Sequence, residues 1–407
     1  MMDLKARAAT DVGQRRDHNE DRYFCDVELG IFAVADGIGG KPGGEVASQA
    51  IIDGLEMRAA DIRRFIDARS ERFDESKRDE ISDYLFEELQ AINEDVYYRG
   101  MLGEFPQGIG STLDLVVLTA GGAFVLHVGD SRVYLLRGDE VFRITRDHTF
   151  ERRLLENPEL RGGHGAPSKY SHVLTRSVGR APRVKVDRLF VGLQTGDRLV
   201  LCTDGISDYF GGQEILGFAQ IDDGDLSQRL VNGANEAGGK DNATAVVVSI
   251  TEDVESAFLR QPTRPDTFKR VRFLKSLNIF SELDLQELLK LLRYINIREC
   301  NSDEPVISRG DEVDGLYMVM SGSLAVEIHG VHLDSLAPGD HFGEIGLFGD
   351  PVRSADVHCI ESCEVLFLSK EHLQRLLRED PVLGNKLLLK LLARCSEIVQ
   401  QLLAEQS

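Results

Sequence analysis

Four aspartates share one setting in this chain. Asp36 ends the apolar run Ile31–Ala35 and opens Gly37-Ile38-Gly39-Gly40; Asp130 follows Val128-Gly129. Asp204 follows Leu199-Val200-Leu201-Cys202-Thr203 and precedes Gly205, and Asp241 follows Gly238-Gly239-Lys240. One aspartate beside glycine at a strand end is a turn residue. Four of them, with the adjacent pair Glu20-Asp21 in the first hairpin, form a carboxylate cluster once sheets gather the strand ends. Like charges packed together repel by several kcal/mol unless cations neutralise them. The donors are all oxygen, with no cysteine and no obligatory histidine, which selects hard ions such as Mg2+ or Mn2+. Neighbouring strand residues face opposite ways, so one of Glu20 and Asp21 can face an ion while the other holds a water or a supporting partner.

A second group lies near the C-terminus: Gly339-Asp340-His341-Phe342-Gly343-Glu344-Ile345-Gly346, then Pro351-Val352-Arg353-Ser354-Ala355. It reads as a short helix started by glycine, with a carboxylate able to accept from a sugar hydroxyl and an arginine nine residues on. Helix-start N–H groups plus a guanidinium suit one phosphate. No GxxxxGK[ST] string is present, so this is not a Walker loop.

The surrounding elements follow from periodicity. Residues 45–60 and 78–98 carry apolar positions at helical spacing, among them Ile81, Tyr84, Leu85, Leu89, Ile92 and Val96. Charged Asp61–Lys77 between them reads as a solvated helix end or loop. Leu113–Leu118, Ala123–Val128, Arg132–Leu136 and Glu140–Ile144 form a meander of hairpins. Residues 146–183 are irregular and read as a flap over a site. Strands resume at Val184–Phe190, Asp197–Cys202 and Ala245–Ile250. Pro262 and Pro265 mark a linker over 253–272, between a domain of residues 1–252 and one of 273–407. In the latter, helical periodicity runs from Leu274 through Ile295. Strands at Pro305–Ser308, Leu316–Ser321, Ser323–Ile328, Val331–Leu336 and Glu364–Leu368 then make a small roll. Leu388, Leu391, Cys395, Ile398 and Leu402 lie near heptad spacing, as a purine lid, a homodimer seam or plain packing.

At 407 residues the chain is long enough for two cores, and its net charge of −21 repels nucleic acid and anionic lipid. No run of eighteen apolar residues exists, and a cytoplasmic protein without membrane contact is expected. Six scattered cysteines without a CxxC pair read as reduced thiols.

Gly13…Arg16…Asn19-Glu20-Asp21, Asp36-Gly37-x-Gly39-Gly40, Gly110-Ser111-Thr112, Gly129-Asp130-Ser131-Arg132, Asp204-Gly205 and Gly239-Lys240-Asp241-Asn242-x-Thr244 follow one another in order over residues 3–252. In these motifs and their spacing the first domain resembles the metal-dependent type 2C protein phosphatases. The resemblance implies an α+β chain: a four-layer αββα sandwich, here followed by a β-roll with flanking helices. By resemblance, Asp36 bridges two metals and a hydroxide between them attacks phosphorus in line. Asp21, Asp204, Asp241 and the Gly37 carbonyl complete the set, while Glu20 acts through bound water. Asp130 holds a third ion with Asp204, helped by Asp208, and Arg16 grips the phosphoryl oxygens. Ile38 stands where many members carry a histidine that protonates the leaving group. A metal-bound water is then the expected acid, with His148, His164 and His172 as further candidates. His127 reads as a core histidine.

Residues 273–400 resemble the cyclic nucleotide-binding domains. That resemblance implies Glu344 on the ribose 2′-OH, Arg353 on the cyclic phosphate, and contacts from Ser354 and the Gly343 and Ala355 backbones. Serine at 354 favours cAMP over cGMP. The function expected is a phosphoserine/phosphothreonine phosphatase opposing a Ser/Thr kinase and regulated by a cyclic nucleotide. The alternatives are a constitutive phosphatase whose nucleotide domain selects partners, and a catalytically dead nucleotide-responsive scaffold.

Overall fold

A computed structural model describes residues 4–38, 43–69, 75–102, 105, 108–119, 122–156, 173–221, 224–251, 267–344 and 352–405. The chain divides into two compact units, Met1–Arg264 and Pro265–Ser407.

The first unit begins with β1 (Lys5–Asp11), β2 (Asp21–Asp26) and β3 (Ile31–Ile38), then α1 (Gly43–Asp67) and α2 (Glu75–Leu102). Next come β4 (Gly110–Ser111), β5 (Leu113–Thr119), β6 (Gly122–Val128), β7 (Arg132–Arg137) and β8 (Glu140–Arg143). The short α3 (Phe150–Glu156) precedes β9 (Asp187–Gly192), β10 (Arg198–Cys202), α4 (Asp204–Ser207), α5 (Gly212–Gln220), α6 (Leu226–Glu236) and β11 (Ala243–Ser249). One sheet has the order β2-β3-β5-β6-β9 and the other β1-β11-β10-β7-β8. They meet through β3 against β10 and β11, with α1 and α2 outside one sheet and α5 and α6 outside the other. This is the four-layer αββα sandwich.

The layers form because their faces match. Strands β5 and β6 are buried along their whole length between two covering layers, and the polar Asp114 and His127 within them pair with each other at 2.6 Å. Ile81, Leu85, Leu89, Ile92 and Val96 of α2 are all buried in one core with Ile51, Leu55, Ile62 and Ile66 of α1. Helix α1 continues to Asp67, past the end its charge pattern indicates, because Ile62 and Ile66 still fall on the buried stripe. The charges between them only decorate the outer face.

In the second unit, α7 (Thr267–Ser276) and α8 (Leu285–Leu291) lead into the two four-stranded sheets of a β-roll. One sheet has β12 (Ile295–Cys300), β19 (Cys363–Ser369), β14 (Gly315–Ser321) and β17 (His341–Phe342). The other has β13 (Pro305–Ile307), β18 (Asp356–Cys359), β15 (Leu324–Ile328) and β16 (Val331–Leu336). Helices α9 (Lys370–Glu379) and α10 (Pro381–Glu405) follow. Three details differ from the sequence reading. Helix α7 starts at Thr267, inside the expected linker; Phe268, Val271 and Leu274 are buried one helical turn apart, while Lys269, Arg270 and Arg272 between them hide the stripe. Ile295 opens a strand rather than closing a helix. The helix α8 before it is short and fixed at its start by an Asp284/Glu287 capping box. Finally, Leu391 packs into its own unit's core, so it is not free for a seam, whereas Leu389 and Leu392 are exposed.

All six cysteines are free. Among the described residues, no helix is long and apolar enough to cross a membrane.

Candidate functional site

The β2–β3 hairpin builds the first site. Its register sets Asp21 directly opposite Asp36, which puts both side chains on one face of the sheet. Asp21 is buried, and Glu20, just before the strand begins, lines the cleft with Asp36. The strand end is held tightly. Asp36 N donates to Thr112 Oγ1 at 3.0 Å, and Asp36 O accepts from Ser111 Oγ and Thr112 N, both at 2.8 Å. A Cβ at position 37 would sit 2.3 Å from the Gly44 carbonyl oxygen, so only glycine lets the first turn of α1 approach. Gly205 is likewise required, because a Cβ there would lie 1.9 Å from Asn242 O. That contact brings the Asp204 turn against the Asp241-Asn242 turn.

The remaining carboxylates gather around this hairpin. A cleft of about 740 Å³ is lined by Arg16, Glu20, Asp36, Gly37, Asp130, Asp204 and Asp241, with Ile38 on its wall. Asn242 ties the parts together: its Oδ1 accepts from Glu20 N at 2.8 Å, and its Nδ2 donates to Val12 O and His18 O at 2.8 and 2.9 Å. Arg16 Nη2 reaches Asp241 Oδ2 at 2.6 Å at the cleft mouth. Asp208, by contrast, is exposed at the end of α4 and is not among the cleft-lining residues.

Charge density is the outstanding property. Burial pushes the Asp21 carboxyl up to about 7 against hydrogen bonds from Thr244 and Thr203, and Asp204 and Asp241 add to the rise. Burial, then Asp204, Asp21, Asp130 and Asp241, holds Asp36 well above the ordinary range. Asp130 is pushed up to about 7 by burial, then by Asp204. Carboxylates raised by one another lack a compensating cation. Asp21 Oδ2 accepts from Thr203 Oγ1 at 2.8 Å, yet its Oδ1 is buried without a partner. An orphaned buried carboxylate oxygen beside other carboxylates is the expected signature of a hard-cation site. Among the described residues, no three such side chains converge as a single closed ligand cage. The donors gathered here are all oxygen, which suits ions of the Mg2+ type, and these keep several waters. The residues present therefore fit divalent ions.

Neither His127 nor His148 is among the cleft-lining residues. His127 is fully buried, with Asp114 Oδ1 and Arg146 O each at 2.6 Å from its ring nitrogens. His148 is buried outside the cleft lining; its Nδ1 accepts from Gly129 N at 3.1 Å, and burial lowers it to about 4. His164 and His172 lie outside the described residues.

In the second unit, Glu344 and Arg353 are both buried and meet at Gly343. Arg353 donates to Gly343 O at 3.1 Å and Gly315 O at 2.9 Å, and pairs with Asp314. Glu344 Oε2 is buried without a partner, and its Oε1 lies 3.5 Å from His341 Nδ1. A buried carboxylate oxygen still wanting a donor fits a ligand hydroxyl. Ser354 is exposed and Ala355 half-buried beside it. The short helix expected after Glu344 falls on 345–351, outside the described residues. Thr203, Asp314 and His341 escape sequence reasoning, since nothing local in the sequence marks their partners.

Residues 13–228 match the protein phosphatase 2C family, and residues 297–380 match the cyclic nucleotide-binding domain. Protein phosphatase PhpP of Streptococcus pneumoniae is 32% identical over 252 residues, covering 60% of this chain and 96% of that protein. Serine/threonine phosphatase stp of Listeria monocytogenes is 30% identical over 254 residues, covering 60% and 95%. Among solved structures, the serine/threonine phosphatase of S. agalactiae superposes with a TM-score of 0.52 at 28% identity, over 61% of this chain and 99% of that one. The Mycobacterium tuberculosis phosphatase PstP/Ppp gives 0.51 at 29% identity, with the same two coverages.

Proposed function

The chain belongs to the protein phosphatase 2C family, and on that premise we propose that it hydrolyses phosphoserine and phosphothreonine in proteins, with divalent metal, under control of a bound cyclic nucleotide. The observation that carries the first half is the set of mutually destabilising carboxylates around buried, half-orphaned Asp21. Asp21, Asp36, Asp204 and Asp241 would hold two Mn2+ or Mg2+ ions with the Gly37 carbonyl, Glu20 would act through water, and Asp130 would hold a third, looser ion. When bound, such ions lower the pKa of water to give a nucleophile near neutral pH and neutralise phosphoryl oxygens. Arg16 then exchanges its Asp241 partner for the phosphoryl group, which its fork matches. Ile38 puts an apolar side chain beside the departing alkoxide, and water is the proton source we assign to it.

The second half rests on the Glu344 oxygen that lacks a donor and on the adjacent buried Arg353. Glu344 would accept from the ribose hydroxyl, and Arg353 would pair the cyclic phosphate, with Ser354 and the Gly343 and Ala355 backbones alongside; Ser354 favours cAMP. The working setting is cytoplasmic, with substrates phosphorylated by a Ser/Thr kinase. The exposed Leu389 and Leu392 of α10 offer a homodimer contact.

The test is hydrolysis of p-nitrophenyl phosphate and a phosphothreonine peptide by the full chain with Mn2+, with and without cAMP. Asp36→Ala and Asp204→Ala should each lower the rate at least about a thousandfold, and full activity in either would sink the metal assignment. Arg353→Ala should erase the cAMP response while leaving the basal rate. A rate indifferent to cAMP despite binding would favour the partner-choosing alternative.

A further inference from the structure

The cleft has a second wall of opposite sign. Arg176, Arg180, Arg183 and Lys185 line the cleft together with the carboxylates. Residues 173–188 hold five basic side chains and one acidic, in a chain whose net charge is −21. This wall is built rather than incidental. Two buried polar residues of α2 hold its backbone: Gln90 exchanges hydrogen bonds of 2.7 and 3.1 Å with Val184, and Asn93 bonds Gly179 N, Ala181 O and Pro182 O at 2.9–3.1 Å. Val178 pairs with Ser111 in both directions, and Ser111 Oγ donates to the carbonyl of Asp36 itself. The basic segment is therefore fixed to the strand that carries the reaction centre.

Arg176 is committed to Asp187, at 2.7 Å. Arg180, Arg183 and Lys185 are exposed, and the 3.4 Å contact of Arg183 with Glu87 involves two side chains more than three-fifths exposed. Such a pair is worth little and is easily traded for another carboxylate. Three cations on a rigid platform, a few residues' reach from the phosphoryl site, match acidic side chains flanking the phosphorylated residue. The rest of this acidic chain would repel the same peptide, which narrows its approach to this wall.

We infer that Arg180, Arg183 and Lys185 select phosphoprotein segments with acidic residues beside the phosphoserine or phosphothreonine. This deepens the phosphatase reading and rests on it. The experiment compares phosphothreonine peptides carrying Glu, Ala or Lys on both flanks, using the full chain with Mn2+. For each variant the readout is the ratio of kcat/KM between Glu- and Ala-flanked peptides, so a general loss of activity cancels. The native ratio should be about fivefold, from two or three exposed pairs, and should shrink between 50 and 500 mM salt. R180E/R183E/K185E should invert the preference toward Lys flanks, while R180K/R183K should keep it. Equal turnover of all three peptides, with p-nitrophenyl phosphate still hydrolysed, overturns the inference and leaves the phosphatase reading standing. If nothing is hydrolysed, the phosphatase reading fails instead. Fluorescence anisotropy of the labelled peptides then decides docking: tighter Glu-flanked binding supports it, and equal binding overturns it.

Discussion

The strand ends at the centre of the first unit's cleft gather carboxylates, whereas the site of the second unit joins opposite charges. Burial first, and then Asp204, raises the carboxyls of Asp21, Asp36 and Asp130, and among the described residues the buried Asp21 Oδ1 has no hydrogen-bond partner. Arg353 instead already has Asp314 and two carbonyls as acceptors. A site of the first kind costs the fold stability until an ion binds, so folding and ligand are strongly linked. In a site of the second kind the arginine already has a counter-ion, and its ligand must compete with that partner. The contrast predicts opposite responses to the same type of mutation.

The largest expected effect is metal linkage. A ligand held by the native state alone stabilises it by about 2.7 kcal/mol at a hundred times its dissociation constant. For a unit of this size that corresponds to a rise of roughly 5–10 °C in the melting of the first unit on adding Mn2+. Asp36→Asn should remove the shift, as read by calorimetry of the full chain. An unchanged shift in that variant would falsify the placement of the ion at Asp36.

Next in size is Asp21→Asn. The amide introduced by this substitution could keep the acceptor for Thr203 Oγ1 and turn an N–H toward the neighbouring carboxylates, replacing repulsion by attraction. Without metal the variant should be more stable than the native chain by about 1–2 kcal/mol, measured by denaturant titration in a chelator. It should also lose Mn2+ stabilisation. Loss of stability in the chelator would mean that the Asp21 carboxylate is already satisfied.

Those two predictions rest on residues that the sequence exposes, and the reason is local. Asp36 ends an apolar strand and precedes glycine, and a short hairpin can only return Asp21 opposite it. The basic wall was hidden because its segment has no periodicity. Its anchors Gln90 and Asn93 are 86 to 94 residues away, on a helix whose apolar face gives no hint of them. The same holds for α7, where the charges around Phe268 and Val271 outweigh a stripe only three residues deep. Asp208 stands one helical turn after Asp204, and its exposure at the end of α4, outside the cleft lining, is equally invisible in the local sequence. Burial and register were legible; partnerships across long separations were not.

The smallest effect tests the second site from the other side. Asp314 is 52% exposed and accepts from the Nη2 of Arg353, whose own side chain is 5% exposed. Removing it leaves the guanidinium with Gly343 O, Gly315 O and the ring of Tyr317, 5.7 Å away, so the arginine keeps its place. A charge-assisted hydrogen bond is worth about 1.5–3 kcal/mol when buried, and exposure of the aspartate reduces this to about 1 kcal/mol. Asp314→Ala should therefore destabilise the second unit by that amount, opposite in sign to Asp21→Asn in the first. Because the competing carboxylate is gone, the freed guanidinium should bind cyclic nucleotide no more weakly than the native chain does, as titration calorimetry would read. A tenfold weaker affinity would mean that Asp314 orients Arg353 for the ligand rather than competing with it, and the contrast between the two sites would then be one of strength and not of kind.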